Sequence, residues 1–224
     1  MKKFLAVLLT GVLALTTLTG CGSEKKTVKV IDIELTNEEY AFGVDKTQPE
    51  LLEDVNEFIR QIQENGVFDE ICNHYFGDGT PEAVTSAAYD ESKDQLVVAT
   101  NAAFEPFEYM QGESYYGIDM EIAARLAEHL GRELVIQNME FEAVCLSVGQ
   151  QKCDIAMAGL TVREDRMEHV NFSDSYYNAS QKLIVVSDDT EFDDCTDAAS
   201  VEAVLKTKDS SVKVGAQTGT TGQW

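Results

Sequence analysis

The sequence predicts an α/β sandwich built on a largely parallel sheet. Between residues 95 and 158 the chain alternates strand, helix, strand, helix and strand, the order that crossover helices impose on parallel strands. Hydrophobic residues make up 44% of the 224 and aromatics 8%, enough to fill a packed core. Three prolines and 15 glycines leave no low-complexity stretch, and there is no internal repeat.

Each element follows from its local pattern. Residues 28–35 (VKVIDIEL) alternate apolar and polar, as a half-buried strand does. Residues 40–44 (YAFGV) form a second short strand. Thr47 and Glu50 have capping-box spacing and Pro49 suits a first helical turn. Leu51, Leu52, Val55, Phe58, Ile59 and Ile62 then follow at helical spacing, and Asn65-Gly66 stops the helix. A second helix spans 67–76 and ends at Gly77-Asp78-Gly79, before a polar linker over 80–94. Residues 95–100 are a strand. Gly117 and Asp119 precede a helix with Ile122, Ala123, Leu126, Ala127 and Leu130 on one face, closed by Gly131. Strands at 133–137 and 153–158 flank a helix at 141–148. A helical turn at 163–169, strands at 182–186 and 212–216, and a helix around 201–205 complete the reading.

The chain carries 40 acidic against 17 basic residues, a net charge of −23. Such a surface repels phosphate backbones and excludes nucleic acid as a partner. His74, His129 and His169 are far apart and no Cys/His spacing matches a zinc site, so neither metal nor cofactor is expected. Cys72, Cys145, Cys153 and Cys195 read as inert core thiols, with a Cys145–Cys153 bridge as the alternative.

The first 20 residues have the form of a signal peptide. Lys2 and Lys3 precede a short apolar run that ends in Leu18-Thr19-Gly20-Cys21, which resembles the bacterial lipobox. Cys21 is the expected lipidation site, and residues 21–27 the lipidated cysteine and its tether. Acyl chains contribute roughly 0.8 kcal/mol per buried CH₂, so a multiply acylated cysteine holds firmly in a membrane. Removal of Lys2 and Lys3 takes the charge from −23 to −25. The expected location is the extracytoplasmic face of the cell membrane, and the expected state is a lipid-anchored monomer.

Residues 95–187 carry four motifs in order. They are the aromatic loop AAFEPF at 102–107, the GID turn at 117–119, the loop AGLTVRED-R over 158–166, and NFSDSYY at 171–177. GAQTGTT at 215–221 follows them. This run resembles the first lobe of the amino-acid-binding proteins, solute-binding family 3, that feed ABC importers. The resemblance implies a periplasmic-binding-protein-like lobe, a three-layer αβα sandwich, with the start of a second α/β lobe. It also implies roles. Arg166 would hold the carboxylate of a free amino acid through its planar fork. Thr161 would add a hydroxyl and N–H, and Gly159 would offer a carbonyl to the ammonium. Phe104 and Phe141 would line the side-chain pocket, while Phe107 and Phe172 belong to the core. Thr220 and Thr221 would close over the carboxylate from the second lobe. Two positions depart from the family. Arg163 stands where Thr or Ser often caps the short helix, and Thr161 with Glu164 has the spacing to replace that cap. Asn101 stands where Asp is frequent, which disfavours lysine or arginine as ligand and mildly favours a polar or neutral amino acid.

The order of segments is unusual. Residues 28–79 resemble the C-terminal end of the same family, so the chain reads as circularly permuted, with the strand at 28–35 in the hinge position. Residues 28–187 would then form one complete lobe and 188–224 an incomplete second one, lacking the acidic anchor for the ligand ammonium. The length reads as a truncated product or fragment, with a working one-lobed protein as the other possibility. The expected function is capture of a free amino acid for an ABC permease, without covalent chemistry. The alternatives are a sensor lobe without transport and a dehydratase-like enzyme. Catalysis would need a poised acid or base. His129 and His169 are remote from the aromatic loop, and Glu105 and Glu108 beside it read as exposed carboxylates.

Overall fold

The computed structural model describes residues 27–223. The expected signal segment and Cys21 lie outside these residues. No helix among the described residues is long and apolar enough to cross a membrane.

In chain order the strands β1 (Val28–Val30), β2 (Glu38–Tyr40) and β3 (Gly43–Asp45) precede helices α1 (Pro49–Glu64) and α2 (Val67–Phe76). Then come β4 (Gln95–Thr100), a meander of β5 (Ala103–Phe104), β6 (Glu108–Gln111) and β7 (Ser114–Tyr116), and α3 (Ile118–Leu130). β8 (Glu133–Asn138), α4 (Phe141–Gly149), β9 (Ile155–Ala156), α5 (Glu164–Met167), β10 (Val170–Phe172) and β11 (Tyr177–Ala179) follow. The chain continues through β12 (Ile184–Val186) and α6 (Ala198–Leu205) to a 3-10 turn at Thr221–Gln223.

The main sheet has the order β10-β3-β9-β4-β8. β4 runs parallel to β8 and β9, but β3 is antiparallel to both β9 and β10. The sheet is therefore mixed, not largely parallel, because β3 enters it from the opposite direction. Strand alternation sets the layers. Leu96 and Val98 of β4 face a core built with Leu51, Val55, Phe58, Ile118, Ile122 and Leu126 of α1 and α3. Val97 and Ala99 face the other way, onto Val144 and Val148 of α4. Helices thus cover both faces, giving the expected three-layer αβα sandwich. A third, smaller core gathers Ile31, Phe192 and Val201 between the β1–β12 ribbon and α6.

Several local expectations change. The strand at 28–35 is regular only over Val28–Val30, although Ile31 N–H still donates to Leu183 O at 2.8 Å and Leu35 N–H to Gln181 O at 2.9 Å. The strand at 40–44 is split into β2 and β3, which belong to different sheets. The strand at 153–158 shrinks to Ile155–Ala156. The Thr47–Glu50 capping box is not formed. The Asp45 carboxylate takes both the Thr47 N–H at 2.9 Å and its hydroxyl at 3.0 Å, and Gln48 occupies the N-cap without a side-chain bond. Residues 212–216 form no strand. Val212 and Val214 are exposed and no strand among the described residues lies beside them to complete a ladder. The linker at 80–94 is pinned along its path, with Val84 and Tyr115 exchanging backbone bonds of 2.8 and 2.9 Å. The described cysteines are free thiols, so the Cys145–Cys153 bridge is not present. Burial pushes the thiols of Cys72 and Cys145 up to about 11, which leaves them protonated and unreactive at neutral pH.

Gly117 is the tightest joint. It has φ 125°, and it turns the meander into α3. The next two amides donate to Pro106 O at 3.0 Å and Phe107 O at 2.9 Å, so backbone crosses backbone here.

Candidate functional site

A cavity of about 180 Å³ opens at the C-terminal ends of β4 and β9, walled by Tyr40, Phe104, Phe141, Gly159, Thr161, Arg166, Thr220 and Thr221, with Gln181 and Gln217. Seven of the eight sequence-selected binding residues therefore meet in one place. Asn101 does not line it. Its amide donates to Met139 O at 2.7 Å and its oxygen accepts from Gln217 Nε2 at 2.8 Å, so it holds the cavity's Gln217 in position.

Arg166 sits in the single-turn helix α5 and is 7% exposed. One guanidinium nitrogen donates to Thr161 O at 2.8 Å, and another to Gly219 O at 3.1 Å. The group lies 5.2 Å from the centre of the Phe141 ring, a cation–π contact. Burial holds its pKa below the ordinary arginine value, yet guanidinium stays charged in proteins. A buried, oriented cation with donors to spare can bind a carboxylate through paired hydrogen bonds. Phe104 stacks on Phe107 at 5.6 Å; Phe107 is buried and Phe172 packs against the core on the α4 side, as expected.

Gly159 has φ 52°, and a Cβ there would come within 3.0 Å of the Phe104 ring and 3.3 Å of Tyr40. Its N–H donates to Asp119 Oδ2 at 2.8 Å, while Tyr176 hydroxyl donates to Asp119 Oδ1 at 2.5 Å. Asp119 lies in the first turn of α3, not before the helix, and is fully buried. Burial raises its pKa to about 7, against the opposing pull of the Gly159 and Tyr176 hydrogen bonds. Glu108, expected to be exposed, is fully buried, because strand β6 turns it toward α3. Neither of its carboxyl oxygens has a hydrogen-bond partner among the described residues. Burial first, then the Asp119 charge, lifts its pKa well above the carboxylate range.

The raised Asp119 value carries a linkage consequence. Its contribution to stability is full below its unfolded value of 3.8 and is lost as pH rises through about 7, a fall on the order of 4 kcal/mol. Asp119→Asn keeps an acceptor for Gly159 and cannot ionise. Urea unfolding at pH 4.5 and 7.5 should therefore show a smaller loss between the two pH values in the variant than in the unaltered chain.

The Thr161–Glu164 cap is not formed. Arg163 holds the N-cap position of α5 without a side-chain cap bond, and the Thr161 hydroxyl turns instead to Glu38 at 2.8 Å. Sequence reasoning missed Glu38, Tyr40, Gln181 and Gln217. β2 carries the first two to the cavity by pairing with β11 and bridging Tyr40 to Thr161. No spacing in the sequence signals that long-range pairing.

Comparison with known proteins matches the sequence to a family. The profile of the bacterial extracellular solute-binding proteins, family 3, fits residues 96–217, more than half of the chain. The chain is 31% identical over 104 residues to the arginine-binding extracellular protein ArtP of Bacillus subtilis, covering 46% of this chain and 41% of that protein. It is 35% identical over 82 residues to the cyclohexadienyl dehydratase of Pseudomonas aeruginosa, covering 36% and 31%. A solved structure of domain 1 from TmArgBP in its arginine-bound form is 29% identical, covers 54% of this chain and all of that one, and superposes with a TM-score of 0.37. The chain spans less than half the length of these curated relatives. With the profile extending over four of the five strands of the main sheet, the Arg166 loop and residues 215–217, the chain belongs to the bacterial extracellular solute-binding proteins, family 3.

Proposed function

We propose that the chain captures a free amino acid outside the cytoplasm and serves an ABC importer, binding without covalent chemistry. One observation carries this reading. Buried Arg166, backed by Phe141 and joined by Thr161, Thr220 and Thr221, faces a small cavity with a fixed positive charge. The carboxylate of a zwitterion fits that charge, and the Gly159 carbonyl stands beside it for the ammonium. Residues 28–187 act as the first lobe in permuted order, since α1, α2 and β3 pack onto the sheet formed by the later segment. Residues 188–224 supply a second-lobe loop. Cys21 carries the lipid anchor, on the strength of its lipobox. The carboxyl groups of Glu108 and Asp119 are turned into the core behind the cavity wall.

Isothermal titration of the chain with a panel of free amino acids tests the reading. Saturable binding in the millimolar range or tighter is the expected result. Absence of saturation by every member of the panel would overturn it.

A further inference from the structure

We propose that Glu38 is a specificity-determining residue that biases the cavity toward cationic amino acids. The inference rests on the amino-acid-binding reading and deepens it. Glu38 is 3% exposed and stands directly behind two threonines that line the cavity. Its Oε2 accepts the Thr161 hydroxyl at 2.8 Å and the Thr221 hydroxyl at 3.1 Å, with Gln181 Nε2 at 3.4 Å. Its Oε1 accepts the Thr36 hydroxyl at 2.9 Å.

A hydroxyl has one proton to give. An ionised carboxylate accepts only, so both threonine protons are committed to Glu38. Thr221 also accepts from Gln181 Nε2 at 3.0 Å. What the two hydroxyls can still show the cavity is lone pairs. They can receive N–H groups from a ligand and cannot donate to a ligand oxygen. This departs from the expectation that their hydroxyls bind the ligand carboxylate, which falls instead to Arg166 and to backbone N–H groups. The Glu38 charge acts in the same direction. It lies behind a partly desolvated wall, where charges are screened less than in water. A ligand with an additional cationic group gains from it; a ligand with a second carboxylate is repelled.

The test compares arginine with citrulline, nearly equal in shape but differing by the side-chain charge, on the full chain and on Glu38→Gln. The unaltered chain should prefer arginine by at least about tenfold, and Glu38→Gln should compress that preference below about threefold. A merely structural role would weaken both ligands alike, and that result would overturn the proposal. So would an unchanged preference in the variant. Glu38→Asp, which keeps the charge, should retain a preference for arginine; its loss there would also count against the proposal. Binding of neither ligand nor any other amino acid by the unaltered chain would overturn the amino-acid reading itself. Binding of both without preference would overturn only the role of Glu38.

Discussion

Arg166→Ala should lower amino-acid affinity by at least about a hundredfold while leaving a folded protein. Charged, paired hydrogen bonds contribute roughly 1.5–3 kcal/mol each, and about 2.7 kcal/mol is already a factor of a hundred. The side chain does three things at once. In the proposed function it offers the ligand a cation, and in the structure it ties the Thr161 carbonyl and the Gly219 carbonyl. Removing it also frees the face of Phe141. Arg166→Lys separates these roles. Lysine keeps the charge as a single point and loses the planar fork, so it should recover only part of the affinity. Calorimetry reads the affinities, and circular dichroism melts confirm that the variants fold. An affinity for Arg166→Ala within about threefold of the unaltered chain would remove Arg166 from the anchor role.

Gly117→Ala should cost about 4 kcal/mol or more of stability, among the largest effects a single methyl can have. Two features act together. The backbone at φ 125° suits only glycine. An added Cβ would sit 2.0 Å from Phe107 O and 2.4 Å from its carbonyl carbon, which are backbone atoms with no rotamer to escape into. Moving them would break the bonds that Ile118 and Asp119 N–H make to Pro106 O and Phe107 O. Gly131→Ala is the matched control. Gly131 is also left-handed, at φ 69°, but nothing lies within 4 Å of its added Cβ. That variant should lose only about 1 kcal/mol. Chemical denaturation of the pair checks the contrast, and equal losses would contradict the close crossing at Gly117.

The helices that 3.6-residue periodicity marks fold as expected, whereas the alternating stretch at 28–35 is regular only over Val28–Val30. Leu51 through Ile62 and Ile122 through Leu130 carry their helical stripes onto the sheet, because burial of a stripe is a local property of the sequence. Gly159, Thr161 and Arg166 were legible through a contiguous loop motif. Glu38 was not, since its meaning arises from a side-chain hydrogen bond across 123 residues from Thr161. Glu108 was misjudged for a related reason. A carboxylate beside a loop reads as solvated until α3 is seen to cover it. Val212 and Val214 show the converse error, because β-branched residues make a strand only where a neighbouring strand receives them.

The position of β3 between β9 and β10 also constrains how the protein comes into being. During synthesis the segment bearing β3, α1 and α2 leaves the ribosome early, and the strands that flank β3 emerge roughly a hundred residues later. Closing such long loops is entropically costly and slow. The amphipathic helices of the early segment have no sheet to cover until then. A chain that cannot finish its main sheet until late in synthesis stays open for longer, a condition that suits passage through a translocon as an unfolded thread.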